Sequence, residues 1–425
     1  MLVDGKWTED WQPVQAKDEK GGFVRQISGF RNWVTPDGSA GPTGEGGFAA
    51  EAGRYHLYVA LICPWASRTL IARKLKGLEK IVTVRVVEPA LTDQGWRFGD
   101  YPGSHRDDLN GATFLHEIYT KAEPHYTGRA TVPVLWDRKK GTIVSNESAE
   151  IVRMFNSGFG DLASGGIDLY PEPLRIEIDA LNDRIYPRLN NGVYRAGFAT
   201  TQIAYEEAFR DVFAQLDELE ERLSGDGPFL FGDRFTETDI RLFVTLVRFD
   251  AAYHGLFKCN LRRIADYDAL SAYLARVLDM PGVRETVSID HIKRGYYSIK
   301  ALNPNGIVPV GPDLPWLSLI AATQANTAID ATGVVLTAHA RRYLQQLAKH
   351  WSHKFAVEVT PERGRIALPI GECELDAHDD RLEIHLTATE AVNLPRLREV
   401  VEEHIRRFAF REDLVFDWQN LASRS

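Results

Sequence analysis

The spacing of apolar and polar positions changes three times along the chain, and each change marks a different kind of structure. Over about the first fifty residues glycine and polar side chains dominate, with scattered aromatics at Phe23, Phe30 and Trp33; this predicts a long, partly ordered arm. From Tyr55 short continuous apolar runs begin. HLYVALI (56–62) and IVTVRVV (81–87) read as buried strands. Between them Pro64 stands where a first helical residue belongs, Leu70, Ile71 and Leu75 recur at helical spacing, and Gly77 supplies the stop. A short helix is predicted near 114–122, and TVPVLWD (131–137) and GTIVSN (141–146) read as two short antiparallel strands. Pro133 cannot donate to a ladder, so it is expected in cis at the start of an edge strand. ESAEIVRMFN (147–156) reads as a closing helix.

From about 173 the period becomes helical. Tyr205, Ala208, Phe209, Val212, Phe213, Leu216, Leu219 and Leu223 recur every three or four residues. Thr236-Glu237-Thr238-Asp239 resembles a capping box, with Asp in the Glu/Gln position, ahead of the apolar helix IRLFVTLVRF (240–249). A further helix over about 267–279 stops at Pro281-Gly282. The Pro/Gly-rich NPNGIVPVGPDLP (303–315) marks a boundary. Beyond about 330 a helix is predicted at 337–353, then the strands FAVEVT, GRIALPI, CELDA and LEIHLTA, and a last helix at about 392–408.

The first of these patterns, β-α-β-α-β-β-α, is the order of a thioredoxin-like domain. The fold class is therefore α/β, then all-α, then α+β. The boundaries are set at 1–165 for the arm and thioredoxin-like domain, 166–315 for the helical domain, 316–329 for a linker and 330–425 for a small α+β domain. A length of 425 residues fits three domains.

The formal net charge of −9 argues against nucleic acid and against an anionic membrane surface as partners. Three cysteines, Cys63, Cys259 and Cys373, are too few and too odd for a disulfide framework and fit a reducing compartment. MLVDGKWTED has neither the basic nor the apolar region of a secretory leader. No run reaches the ~20 apolar residues of a membrane span. A cytoplasmic location is expected.

The chemistry concentrates at Cys63-Pro64-Trp65-Ala66, on a strand-to-helix junction. The thiolate is the nucleophile, and a helix N-terminus and nearby cations lower the ordinary thiol pKa of ~8.5. Cys63 is placed to receive the first-turn N–H groups, and Arg68 and Arg73 add charge nearby in sequence, so a depressed pKa is expected. The plainer alternative is a small apolar residue ending a strand. Ala66 leaves no second thiol in the motif. A mixed disulfide at Cys63 must then be resolved by a second small-thiol molecule, a monothiol cycle. Cys259 and Cys373 read as ordinary core or surface cysteines.

With these residues in place the chain resembles the xi class of glutathione transferases, the glutathionyl-hydroquinone reductases, over about 1–313. GGFVRQISGFRNWV (21–34) is similar to their arm, GRATVPVLWD (128–137) to their cis-proline strand and SNES (145–148) to their glutathione-binding turn. NNGVYRAGFAT (190–200), FLFGDRFTETDIRLF (229–243) and HIKRGYY (291–297) resemble their helical signatures. The resemblance implies a homodimer that uses glutathione as co-substrate and acts on glutathionyl-aromatic substrates. It implies that Glu147 and Ser148 hold the γ-glutamyl end, that Val132, before Pro133, pairs with the tripeptide backbone, that Arg129 meets the glycyl carboxylate and that Trp96 covers the ligand. For Ser148 the plainer role is helix capping, and for Arg129 a surface ion pair.

Tyr194, Tyr296 and Tyr297 are candidates for the acceptor site, since a phenol can donate to a quinone oxygen; Tyr194 and Tyr296 are preferred, against a role in core packing. Gly295 stands where many members carry histidine, a departure that bears on the acceptor pocket. Residues 330–420 resemble a small family of unknown function, found alone or attached to siderophore-interacting proteins, through YLQQLAKHWSHK and HIRRFAFREDLVFDW. His350, His353, His404 and Cys373 there lack a zinc-knuckle spacing, and no metal is expected. The competing functions are a conjugating transferase, which usually stabilises bound thiolate with Ser or Tyr, and a non-catalytic ligand-binding module.

Overall fold

The arm has little apolar surface to bury, and among its described residues it makes only short hairpins: β1 (Leu2–Val3) with β2 (Lys6–Trp7), and β3 (Ala16–Lys17) with β4 (Phe23–Val24). Elsewhere it is tied down by backbone and ionic bonds. Leu2 N–H reaches Gly128 O at 2.9 Å, Asn32 N–H reaches Val144 O at 2.9 Å, and Arg31 Nε donates to Glu150 at 2.8 Å. The computed structural model describes residues 1–8, 16–225, 227–314, 330–389, 393–409, 412 and 414–421. The chain divides into two compact units, Met1–Leu314 and Pro315–Ser425. The linker expected at 316–329 lies outside the described residues.

In the first unit β5 (Tyr55–Val59) is buried at all five positions, which its unbroken apolar pattern requires. It is followed by α1 (Pro64–Leu75), β6 (Val82–Val86), α2 (Leu115–Ala122), β7 (Val134–Asp137), β8 (Thr142–Ser145) and α3 (Ser148–Arg153). The sheet order is β6-β5-β7-β8, with β6 parallel to β5 and the other pairs antiparallel. This is the thioredoxin-like order. Two predicted strands are shorter than expected. The run HLYVALI leaves the sheet after Val59, because Ala60 O turns to accept from Cys63 N–H at 2.9 Å. The strand around Pro133 begins only at Val134, and the Val132–Pro133 peptide is cis; the strand is not the expected edge strand but lies between β5 and β8, and Pro133 is tolerated because it stands before the ladder begins.

The helical part contains α4 (Arg175–Ile185), α5 (Gly192–Gly197), α6 (Gln202–Leu223), α7 (Glu237–Arg248), α8 (Asp268–Leu278) and α9 (Ile289–Tyr297). Ala208, Val212, Leu216 and Leu219 form the buried stripe of α6. The capping box at α7 is present and extended. Asp239 accepts from Thr236 N at 2.8 Å, Thr236 Oγ1 at 3.0 Å, Leu230 N at 3.0 Å and Tyr273 OH at 3.1 Å. No helix among the described residues is long and apolar enough to cross a membrane.

The second unit holds β9 (Asp330–Leu336), α10 (Ala340–Trp351), β10 (Val357–Val359), β11 (Arg363–Leu368), β12 (Gly371–Ala377), β13 (Arg381–Ala388), α11 (Leu394–Phe408) and β14 (Phe416–Leu421). Its antiparallel sheet runs β10-β11-β12-β13-β9-β14. Alternate residues such as Cys373, Leu375, Leu382, Ile384 and Leu386 join Leu344, Leu347, Leu397, Val401 and Ile405 of the two helices in one core. Strands β9 and β14 escaped the sequence reading. In β9 the central Gly333 breaks the apolar alternation, and it is required there: a Cβ would lie 2.8 Å from the Trp418 ring. Cys373 faces this core. His350 and His404 lie with ring centroids 5.4 Å apart. Among the described residues no group of three or more His, Cys, Asp and Glu is arranged to hold a metal ion.

Asp239→Ala strips three donors of their acceptor in a buried setting, while Tyr273 OH keeps the main-chain oxygen of residue 239 at 3.1 Å. We expect a loss of at least ~3 kcal/mol in denaturant unfolding, since each orphaned donor costs ~1–3 kcal/mol. A loss under ~1 kcal/mol would show that the network does not anchor α7.

Candidate active site

Cys63 caps α1 in an extended conformation, with Pro64 as the first helical residue. The thiol is half-buried, and Sγ lies 3.7 Å from Val132 O. The turn before it is fixed by Arg248, the last residue of α7, which is 1% exposed. Arg248 Nε donates to Ile62 O at 2.7 Å, Nη2 to Leu61 O at 2.9 Å and to Ser67 Oγ at 2.6 Å, and Nη1 to Val244 O at 2.7 Å. All four acceptors are neutral, so the guanidinium charge is left to act on its surroundings.

The electrostatics of the thiol differ from the sequence expectation. Burial pushes the Cys63 thiol above its ordinary value; the N–H groups of Ala66 and Trp65 and the charges of Arg248 and Arg25 pull it back only in part. A helix N-terminus favours thiolate, but here loss of solvent outweighs it. Nor are the two neighbouring arginines its main partners. Arg73 donates to Val82 O at 2.6 Å and Glu79 O at 2.8 Å. Arg68 is buried, donates to Asn190 Oδ1 at 3.1 Å, and loses so much hydration that its pKa falls to about 9.

The thiol opens into a cavity. Trp96, Arg129, Val132, Pro133, Glu147 and Ser148 line it from the thioredoxin-like domain, and Tyr194 and Tyr296 from the helices. Cys63 and these eight residues, the ones preferred in the sequence, therefore meet at one place. Ser148 is not the helix cap; Glu147 is, accepting from Ala149 N–H at 3.1 Å, while Ser28 Oγ donates to its other oxygen at 3.0 Å. The Ser148 hydroxyl is left buried with no hydrogen-bond partner among the described residues. Arg129 is half-buried, and burial together with the nearby Arg25 lowers its pKa to about 10.

Tyr194 OH and Tyr296 OH are 2.5 Å apart, and Tyr253 OH lies 2.7 Å from Tyr296 OH. Burial holds the phenols of Tyr194 and Tyr296 well above the usual range and pushes Tyr253 up to about 12, so all three keep their protons near neutral pH. Tyr253 was not anticipated, because a tyrosine at the end of an apolar helix reads as core. Tyr297 does not line the cavity. Gly295 does not line it either: a Cβ there would lie 2.4 Å from Ile62 Cδ1 and 2.6 Å from Pro89 O, so glycine is set by the seating of α9 against the turn before Cys63. Phe23, Arg25 and Ser28 of the arm also form the wall and were missed, since the arm has no periodicity to mark which residues face inward.

Two outcomes follow from the thiol's surroundings. In a variant lacking Cys259 and Cys373, alkylation of Cys63 in the ligand-free protein should rise with pH to a midpoint above that of a free thiol. A midpoint at or below the free-thiol value would show that Arg248 and the helix N–H groups outweigh burial. Arg248→Met removes four hydrogen bonds of a buried charge, and the vacated carbonyls should cost at least ~3 kcal/mol in denaturant unfolding; unchanged stability would mean the turn holds itself.

Comparison with known proteins agrees with this geometry. Residues 62–157 match the family described as glutathione S-transferase, N-terminal domain, and 202–276 match glutathione S-transferase, C-terminal domain. Residues 332–419 match a family described as uncharacterized protein conserved in bacteria, DUF2218. The Escherichia coli protein glutathionyl-hydroquinone reductase YqjG is 53% identical over 314 residues, 73% of this chain and 95% of that protein. Glutathionyl-hydroquinone reductase PcpF of Sphingobium chlorophenolicum is 50% identical over 324 residues, 75% of this chain and 99% of that protein. The glutathione-bound structure of the Escherichia coli protein superposes with a TM-score of 0.68 at 50% identity, covering 74% of this chain and 96% of that one. A Xi-class transferase from Natrialba magadii also gives 0.68, at 46% identity over 74% of this chain and 94% of its own. The chain belongs to the Xi class of glutathione transferases, the family of the glutathionyl-hydroquinone reductases, and carries a DUF2218 domain at its C-terminal end.

Proposed function

We propose that this chain removes glutathione from glutathionyl-hydroquinone-type conjugates through a mixed disulfide on Cys63. The observation that carries the reading is that Cys63, alone of the three cysteines, is not fully buried and lines a cavity with polar and aromatic side chains. Cys259 and Cys373 are each fully buried, and position 66 is alanine. The donors present suit glutathione. The unpartnered Ser148 hydroxyl supplies a hydrogen bond to the γ-glutamyl carboxylate, and Glu147 an anion for its amine. Arg129 pairs with the glycyl carboxylate, the Val132 backbone meets the peptide next to Pro133, and Trp96 covers the ligand.

Cys63 Sγ, as thiolate, attacks the sulfur of the conjugate. An S–S bond forms to Cys63 and the carbon–sulfur bond breaks. The electron pair stays on the ring carbon, which takes up a proton, and the hydroquinone leaves. A second glutathione thiolate then attacks the mixed disulfide, oxidised glutathione departs, and the Cys63 thiolate is regained. Tyr194 and Tyr296, held protonated, donate to the ring oxygens while the pair moves onto the ring. Because the resting thiol is raised, turnover should climb with pH. The same reading carries a cytoplasmic homodimer.

Cys63→Ser tests it. Serine keeps the size of the side chain and cannot form the disulfide. Reductive turnover should fall at least ~10³-fold while glutathione binding by calorimetry persists. Turnover within a few-fold of the parent would mean that bound glutathione attacks the substrate directly. A gain of conjugation with electrophilic aromatics would show how near the site stands to the transferases that use serine.

A further inference from the structure

The cavity wall holds a cation that the proposed function does not use. Arg25 reaches in from the arm, with its guanidinium carbon 3.8 Å from the Trp65 ring centroid, 4.9 Å from that of Tyr194 and 5.3 Å from that of Phe23. Its Nε donates to Asn191 Oδ1 at 3.0 Å, which fixes the plane. Among the described residues Nη2 is buried with no hydrogen-bond partner, and no carboxylate forms an ion pair with Arg25. Aromatic faces stabilise a guanidinium in place but do not use its in-plane N–H groups. The guanidinium lines the cavity with no counter-ion among the described residues, and a carboxylate arriving with the substrate supplies one.

Which part of the substrate brings it follows from the neighbours. Among the described residues the charged ones in the wall are Arg25, Arg129 and Glu147. The proposed glutathione contacts occupy Arg129 and Glu147. Arg25 instead borders the tyrosine-lined part of the cavity, because the ring it stacks on, Tyr194, is the one whose hydroxyl meets Tyr296. We propose that Arg25 is a specificity residue for the aromatic half of the substrate, selecting hydroquinone conjugates that carry a carboxylate on the ring. The guanidinium fork suits a carboxylate, which accepts two parallel N–H bonds. This assignment rests on the reductase reading.

The test compares two conjugates, glutathionyl-hydroquinone and its ring-carboxylated counterpart, with the full chain, Arg25→Met and Arg25→Lys. Arg25 also acts on Cys63, so the readout is the ratio of kcat/KM between the two conjugates, in which any effect through the thiol cancels. The parent should favour the carboxylated conjugate at least ~10-fold, the scale of one charged hydrogen bond. Arg25→Met should bring the ratio to about one, and Arg25→Lys should leave an intermediate value. A ratio that is the same in parent and Arg25→Met overturns the proposal. So does an equal loss on both conjugates with weakened glutathione binding, which would place Arg25 on glutathione itself. If the parent turns over neither conjugate, the reductase reading fails. Equilibrium binding of two uncleavable thioethers, S-benzylglutathione and S-(4-carboxybenzyl)glutathione, then decides the role of Arg25 by the same ratio. Should Arg25→Met fail to fold, Arg25→Lys carries the comparison, and an unchanged ratio there overturns the proposal.

Discussion

The site depends on one buried guanidinium. Arg248 joins the end of α7 to the carbonyls of Leu61 and Ile62 and the hydroxyl of Ser67, so the turn that presents Cys63 is held by the helical domain rather than by its own sheet. Among the described residues the charge has no counter-ion, a cost that hydrogen bonding to neutral acceptors offsets. The opposite end of the same helix is the Asp239 capping network. One end of α7 fixes where the helix starts and the other fixes where the nucleophile sits. Gly295 belongs to the same arrangement, since it lets α9 close on Ile62 and Pro89 beside that turn.

The electrostatic balance at Cys63 sets two demands against each other. A cavity lined by Trp65, Trp96, Tyr194 and Phe198 shields the thiol from solvent, a setting suited to an aromatic ligand, and the same shielding disfavours the thiolate. Arg248 and Arg25 reduce the penalty without removing it. Three phenols joined by hydrogen bonds stay protonated for the same reason, so burial turns the tyrosines into donors and makes the thiol reluctant.

Much of this was legible in the sequence where local pattern decides. The unbroken runs, Pro64 after Cys63 and the Thr236–Asp239 box specify β5, β6, α1 and the start of α7, and Pro133 in an apolar run specifies the cis peptide, though not the place of its strand, which lies inside the sheet. What escaped was decided by contacts distant in sequence. Arg68 and Arg73 stand close to Cys63 along the chain and are engaged elsewhere, whereas Arg25 and Arg248 act on it from 38 residues before and 185 after. Tyr253 hid in an apolar helix end. Strand β9 hid behind Gly333, whose missing side chain makes room for an indole that arrives more than eighty residues later.

That last strand pair has a consequence for biosynthesis. β9 is the first described element of the second unit, yet in the sheet it lies between β13 and β14, paired along its length from Asp330↔Leu421 to Val335↔Phe416. The strand made first thus waits for the strand made last. Pairing so distant in sequence is slow, because loop closure must come before any contact repays it. While a ribosome is still adding β14, one margin of β9 stands open with its N–H and C=O groups unpaired, and such a margin recruits foreign strands. The interval between synthesis of Arg381–Ala388 and of Phe416–Leu421 is therefore when this unit is most exposed to misassembly, and α11, translated within that interval, is the element on hand to cover the sheet face before the margin closes.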